Sequence, residues 1–308
     1  MKNPSESLMA KLKNTSKTAG VPMDTMLRRY AYDRLISLIS ESAEKDHFTL
    51  KGGILLSAMF NGDMARPTDD LDFNGLQAGR NIEDFASTVK GICERHNGED
   101  GLVFDTENIK SMRERDGIVP GGKIMMLAMI GKTRVRMMID IGYGNAITPH
   151  MKHMEIPTVL PGLIKPPRIA VYPPETTIAE KMHAMFRYGA VNTRIKDYFD
   201  IWRLSSHFSF DGSDLTAAVV NTFNQHQDPI PVEFDGLSDE YAKLPMMQRQ
   251  WQDFTKLAKH GTDMSFHEVV DKVREFIIPV IEAAHGGLEV GEWEPDSGWS
   301  NLALSMRP

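Results

Sequence analysis

Apolar residues recur with two different periods along this chain, and the change of period divides it. Met26, Leu27, Tyr30, Leu35, Ile36, Leu38 and Ile39 fall near a 3.6-residue repeat, with Arg28, Arg29, Asp33 and Arg34 between them, so the first forty-odd residues predict amphipathic helix. Ser40-Glu41-Ser42 and Lys45-Asp46 break that pattern, and His47-Phe48-Thr49-Leu50 reads as a short strand leading into Lys51-Gly52-Gly53. A helix opened by the glycines is expected over Ile54 to Phe60, then a turn at Asn61-Gly62-Asp63 and a strand at Leu71-Asp72-Phe73. Residues 81–96 form another amphipathic pattern. Two apolar runs, Lys123–Ile130 and Val135–Ile141, flank Gly131-Lys132 as a hairpin would. Six prolines between Pro157 and Pro174 predict an irregular connection. Thr177-Ile178-Ala179-Glu180 has the form of a capping box and places a helix start at Thr176 or Thr177. Further helices are expected over 195–206 and 213–224. Beyond 226, Phe254, Leu257, Phe266, Val269, Val270, Val273, Ile277 and Ile278 keep helical spacing, and Trp293 and Trp299 lie in a Gly/Glu/Ser-rich end expected to be mobile. The fold class is therefore α+β: N-terminal helices over 1–40, a mixed sheet flanked by helices over 41–155, and a mostly helical domain with an acidic tail over 170–308.

Composition narrows the function classes. With 41% hydrophobic and 25% charged residues over 308 positions, the chain reads as a globular protein. No run approaches the 18 or so apolar residues of a membrane span, and the start, MKNPSESLMAKLKNTSK, lacks the apolar core of a secretory signal. A single cysteine, Cys93, excludes an intrachain disulfide and a thiolate zinc site, so a cytoplasmic location and no membrane partner are expected. The net charge of −7 at first argues against a polyanionic partner. Residues 226–308, however, carry 7 basic and 15 acidic groups, which leaves residues 1–225 at +1. The acidity belongs to the tail.

Three carboxylates carry the candidate chemistry. Asp70-Leu71-Asp72 on a strand would put two of them on one face, with Asp69 on the other. Asp140 ends the apolar run Met137-Met138-Ile139, where a buried charge needs compensation. Converging oxygens of this kind suit Mg²⁺, and two such ions can run in-line phosphoryl or nucleotidyl transfer. Taken alone, Asp-x-Asp also suits a solvated turn, and Gly52-Gly53 a plain tight turn. At a helix start, though, glycines let backbone N–H groups approach a triphosphate.

The order of these segments resembles the polymerase-β-type nucleotidyltransferase superfamily and, more narrowly, the AbiEii/AbiGii-type nucleotidyltransferase toxins. The likeness rests on Phe48–Gly53, Arg66–Phe73, Ile139–Gly144, Pro174–Lys181 and Arg194–Asp200, in the family's order. It implies a polymerase-β-like sheet and a nucleotidyltransferase core at 41–155. It also implies two Mg²⁺ ions on Asp70, Asp72 and Asp140, with Asp140 as general base. Lys51, Gly52, Gly53, Arg66 and Lys181 would contact the NTP, Lys181 through its phosphates, with Asp197 orienting Lys181 and the active site lying in the cleft between the domains. By the same resemblance the acceptor is RNA, expected at the 3′ end of tRNA, with a block of translation as the outcome in a toxin–antitoxin or phage-defence system. A cognate protein antitoxin is implied as partner. A small-molecule acceptor, or NTP sensing without transfer, are the alternative functions.

One departure stands out. The superfamily's glycine motif usually carries serine where this chain has Gly53, and 16 residues separate Gly53 from Asp70. His150 and His153 are expected in an exposed loop, and Met125, Met126, Met129, Met137 and Met138 in the core. Arg66 and Arg136 lie near the carboxylates in sequence, and Lys110, Arg113, Arg115, Lys123, Lys132 and Arg134 form a loose basic band. That band is the candidate for RNA backbone contact, though it equally suits a solvated face.

Overall fold

In the computed structural model, residues 3–66, 68–76, 81–114, 120–189, 194–258, 262–300 and 303–304 are described. Arg115 of the basic band and Pro67 of the Arg66–Phe73 motif lie outside them. The chain divides into two units, Met1–Asn145 with Lys152–Tyr172, and Ala146–Met151 with Pro173–Pro308. Both N-terminal helices thus belong to the first unit, and the loop 146–151 counts with the second.

The first unit is built on a mixed sheet of β1 (Phe48–Lys51), β2 (Leu71–Gly75), β3 (Leu102–Arg113), β4 (Gly121–Ile130), β5 (Thr133–Tyr143), β6 (Lys152–Glu155) and β7 (Arg168–Val171). Its order is β3-β4-β5-β2-β1-β7-β6. The β1–β7 and β2–β5 neighbours are parallel, and the other adjacent pairs are antiparallel. With it go α1 (Pro4–Ala19), α2 (Met23–Ser40), α3 (Gly52–Met59) and α4 (Ile82–Glu94). The alternation of β4 and β5 fixes which face is core. Ile124, Met126, Ala128 and Ile130 are buried with Val135, Met137, Ile139 and Ile141. The residues between them, among them Lys123, Met125, Leu127, Arg136, Met138 and Asp140, stay half-buried or exposed on the other face. Of these five methionines, Met126 and Met137 are core residues, whereas Met125, Met129 and Met138 lie on the open face, contrary to expectation.

α4 is held by an Asn81/Asp84 capping box and buries Ile82, Phe85, Val89, Ile92 and Cys93. Burial pushes the Cys93 thiol up to about 12, so it is an inert core residue. The proline-rich stretch 157–174 contains β7, a strand because β1 and β6 pair with it. His150 lies in a loop as expected, but His153 sits on β6.

The second unit is mostly helical: α5 (Pro174–Tyr188), α6 (Ile195–Ser205), α7 (Gly212–Gln225), α8 (Asp239–Ala242), α9 (Pro245–Leu257) and α10 (Phe266–Ala284). Short strands β8 (Phe210–Asp211), β9 (Leu288–Glu289), β10 (Glu292–Glu294), β11 (Gly298–Trp299) and β12 (Ala303–Leu304) complete it. α5 starts one turn earlier than Thr177 suggests, at Pro174, with no side-chain cap. A proline at the first helical position lacks only an N–H that the helix leaves unpaired anyway, so Pro174 displaces the expected capping box. The two tryptophans near the C-terminus are ordered by packing. Trp293 donates its indole N–H to the Ser205 carbonyl at 2.7 Å, and Trp299 stacks on Phe276 with centroids 5.5 Å apart. No helix among the described residues is long and apolar enough to cross a membrane.

Candidate active site

The strand register puts the candidate chemistry in one row. Lys51 on β1 pairs with Asp72 on β2, Asp72 with Asp140 on β5, and Asp140 with Lys123 on β4. Residues aligned across a sheet share a face, so two carboxylates stand between two lysines. Asp70 precedes β2 rather than lying in it, and Asp140 is inside β5 rather than at its end. Even so, Asp70, Asp72 and Asp140 each bring a carboxylate oxygen within 4.8 Å of the others.

Three negative charges this close repel each other unless a cation intervenes. Lys123 Nζ lies 2.6 Å from Asp140 Oδ2. Burial works against its charge, but Asp140, with Asp70 and Glu114 behind it, wins and holds the ammonium above its ordinary value. The other Asp140 oxygen, Oδ1, is buried with no hydrogen-bond partner. An all-oxygen donor set with one buried, unpaired lone-pair oxygen fits a hard divalent cation.

The backbone around the carboxylates is equally constrained. Gly52 has φ +70°, and a Cβ there would fall 1.9 Å from Asp72 Oδ2. Only glycine fits both the left-handed turn from β1 into α3 and the approach of the carboxylate. At Gly53 a Cβ would lie 2.5 Å from Thr68 Oγ1 and 3.2 Å from Arg66 Nη1. The Thr68 hydroxyl thus occupies the space a serine side chain at 53 would need, and Arg66 reaches the same point. Tyr32 ties the backbone just before Asp70 to β5. Its fully buried hydroxyl accepts from Met138 N–H and lies 2.8 Å from the Asp69 carbonyl and 3.0 Å from that of Met138. Burial holds this phenol far above its ordinary value, so it stays a donor.

In the second unit the other predicted pair is part of a larger charge network. Lys181 reaches Asp197 at 2.8 Å and Asp200 at 2.7 Å, and Arg194 reaches Asp197 at 2.6 Å. Asp197 is fully buried. Burial alone would raise its carboxyl, yet the Lys181 and Arg194 charges outweigh that and hold it below the ordinary range. A helix-surface pair is thereby excluded. Lys51 lies over the Tyr172 ring, 5.4 Å from its centroid.

Tyr32, Thr68, Arg194 and Asp200 have no role assigned from sequence, and Lys123 reads there only as part of a basic band. For Lys123 the signal was present: a hairpin that pairs Ile130 with Thr133 across Gly131-Lys132 must also pair Lys123 with Asp140. Tyr32 carries no local signal, because its partners are backbone atoms of distant segments.

A strand-to-helix glycine turn pressed against three converging carboxylates is the arrangement of a nucleotidyltransferase. Residues 34–272 match the family described as nucleotidyl transferase AbiEii toxin, type IV toxin–antitoxin system, and the chain belongs to that family of nucleotidyltransferase toxins. Membership implies a nucleotide substrate and an antitoxin partner. Among solved structures, a candidate nucleotidyltransferase from Helicobacter pylori is similar at 17% identity, covering 84% of this chain and 94% of its own, with a TM-score of 0.46. JHP933 from Helicobacter pylori is similar at 16% identity, covering 85% of this chain and 91% of its own, also at 0.46. No curated protein matches at a significant level.

Proposed function

We propose that this toxin transfers a nucleoside monophosphate from an NTP to a 3′ hydroxyl of RNA, with the tRNA 3′ end as acceptor, in the cytoplasm. Blocked tRNA would halt translation, as befits a toxin held in check by its antitoxin. The observation that carries the reading is the gathering of Asp70, Asp72 and Asp140 within 4.8 Å, with Asp140 Oδ1 buried and unpaired.

Asp70, Asp72 and Asp140 would hold two Mg²⁺ ions, which supply charge neutralisation for the triphosphate and the developing pyrophosphate. The remaining work falls to the chain. The Gly52 and Gly53 N–H groups at the start of α3, with Arg66, Lys51 and the Thr68 hydroxyl, cradle the phosphates. The acceptor oxygen bonds to the α-phosphorus, the bridge from that phosphorus to the β-phosphate breaks, and pyrophosphate leaves. The acceptor's proton passes to Asp140. Lys181, with its rotamers limited by Asp197 and Asp200, contacts the nucleotide's phosphates.

The test is incubation with labelled NTPs, Mg²⁺ and total tRNA. Label on RNA that disappears with Asp70→Ala and with Asp72→Ala is the expected result. No label with the wild type, or equal label with those variants, overturns the proposal. Pyrophosphate release without labelled RNA would point to another acceptor, and NTP binding without release to sensing alone.

A further inference from the structure

The open face of the sheet does not end at the carboxylates. Two residues back along β5 from Asp140 stands Met138, paired with Met125 on β4, which pairs with Lys110 on β3. Two residues further back Arg136 pairs with Leu127. These side chains, with Arg28 of α2, line a groove of about 530 Å³. Its floor is methionine and leucine; Met125 is 37% exposed and Met112, paired with Lys123 beside it, 52%. The acid lining the groove, Asp69, is ion-paired with Arg28. Lys110 and Arg136 have no carboxylate partner among the described residues.

The position of the groove says which reactant it serves. The glycine turn lies on the β1 side of the carboxylates, and the groove lies on the β4–β3 side, in the strand order β3-β4-β5-β2-β1. In-line displacement requires attacking and leaving oxygens on opposite sides of the phosphorus. With the leaving pyrophosphate at Gly52-Gly53, the acceptor must arrive over β5 and β4. An adaptable thioether floor suits the face of any base, and unpaired Lys110 and Arg136 suit a phosphodiester. We infer that this groove is the acceptor subsite: it takes the last nucleotides of a single-stranded RNA 3′ end, the terminal base on Met125, Leu127 and Met138, the adjoining phosphate at Arg136 and Lys110. The inference rests on the transfer reading above for the direction of attack.

Binding can be measured apart from transfer. A short oligoribonucleotide with a 5′ fluorophore and a free 3′ hydroxyl is titrated with the full chain in Mg²⁺ without NTP, and NTP binding is titrated separately. Arg136→Glu and Met125→Glu, both at exposed positions, are each expected to weaken RNA binding at least tenfold while NTP affinity stays within twofold. Lys90→Glu makes the same charge change as Arg136→Glu at an exposed position on α4 and is expected to leave RNA binding unaltered. RNA affinity unchanged in both groove variants, or an equal loss with Lys90→Glu, overturns the subsite while leaving the transfer reading intact. Loss of NTP rather than RNA binding overturns it by making the groove a nucleotide pocket. If the wild type binds RNA through the groove yet labels none, the groove stands as an RNA site, while the transfer reading and with it the acceptor role fail.

Discussion

Two clusters of charge, one in each unit, are built on opposite principles. In the second unit, Lys181 and Arg194 face Asp197 and Asp200, two cations against two anions, every partner within 2.8 Å and the central carboxylate fully buried. In the first unit, Asp70, Asp72 and Asp140 converge until their oxygens lie within 4.8 Å, Lys123 stands 2.6 Å from Asp140 Oδ2, and Asp140 Oδ1 is buried with no hydrogen-bond partner. Alternating cations and anions hold one another in place and confer geometry. Carboxylates that converge on one point and leave a buried oxygen unsatisfied fit an added cation.

The largest expected effect strikes the three converging carboxylates. Asp70→Asn should lower transfer about 10³-fold or more, since several kcal/mol of charge stabilisation go with one metal ligand. The fold should survive, and the Mg²⁺-free thermal midpoint should rise as repulsion is relieved. A lowered midpoint would mean that the carboxylates are structural. Asp197→Ala should do the reverse and destabilise by about 3–5 kcal/mol, because Lys181 and Arg194 are left without their shared partner; chemical denaturation followed in the second unit measures it. Near-native stability would dissolve the contrast between the clusters.

Subtler is Lys123→Gln. If the ammonium holds the place of a metal, its removal should lower the Mg²⁺ concentration for half-maximal thermal stabilisation several-fold. An unchanged Mg²⁺ dependence would make Lys123 a mere neighbour. The smallest effect concerns pH. His183, 2.8 Å from Asp228 and stacked on His226 at 3.9 Å, is held below its ordinary 6.5 by burial, which outweighs Asp228. The unfolded chain then binds that proton more readily than the folded one. Stability of the second unit should therefore fall as pH drops through 6.5 toward the folded value, and be fully present above 6.5. Denaturation at neutral and mildly acidic pH should show this slope, flattened in His183→Asn; a slope unchanged by the substitution would place the titration elsewhere.

Much of this was legible in the sequence where local pattern and local structure agree. The β4–β5 hairpin, the glycine-opened α3, α4 and the three aspartates could be read from periodicity and turn residues. What could not be read is what tertiary pairing creates. β3 is polar and exposed over most of Thr106–Arg113 and is a strand because β4 pairs with it across a register shift. β7 hides among prolines until β1 and β6 claim it. Lys123 looked like one cation in a basic band, because nearness in sequence to Lys132 and Arg134 masked nearness in space to Asp140. The tail was judged by its composition, whereas Trp293 and Trp299 are fixed by Ser205 and Phe276.

Those tryptophans have a practical corollary. All four in the chain, Trp202, Trp251, Trp293 and Trp299, fall in the second unit. Indole emission is thus a built-in optical label for that half alone. The unit bearing the carboxylates melts unseen by it and must be followed through its tyrosines or its ligands. Two unfolding traces that part company, one from indole light and one from Mg²⁺ uptake, would resolve the halves without a single added probe.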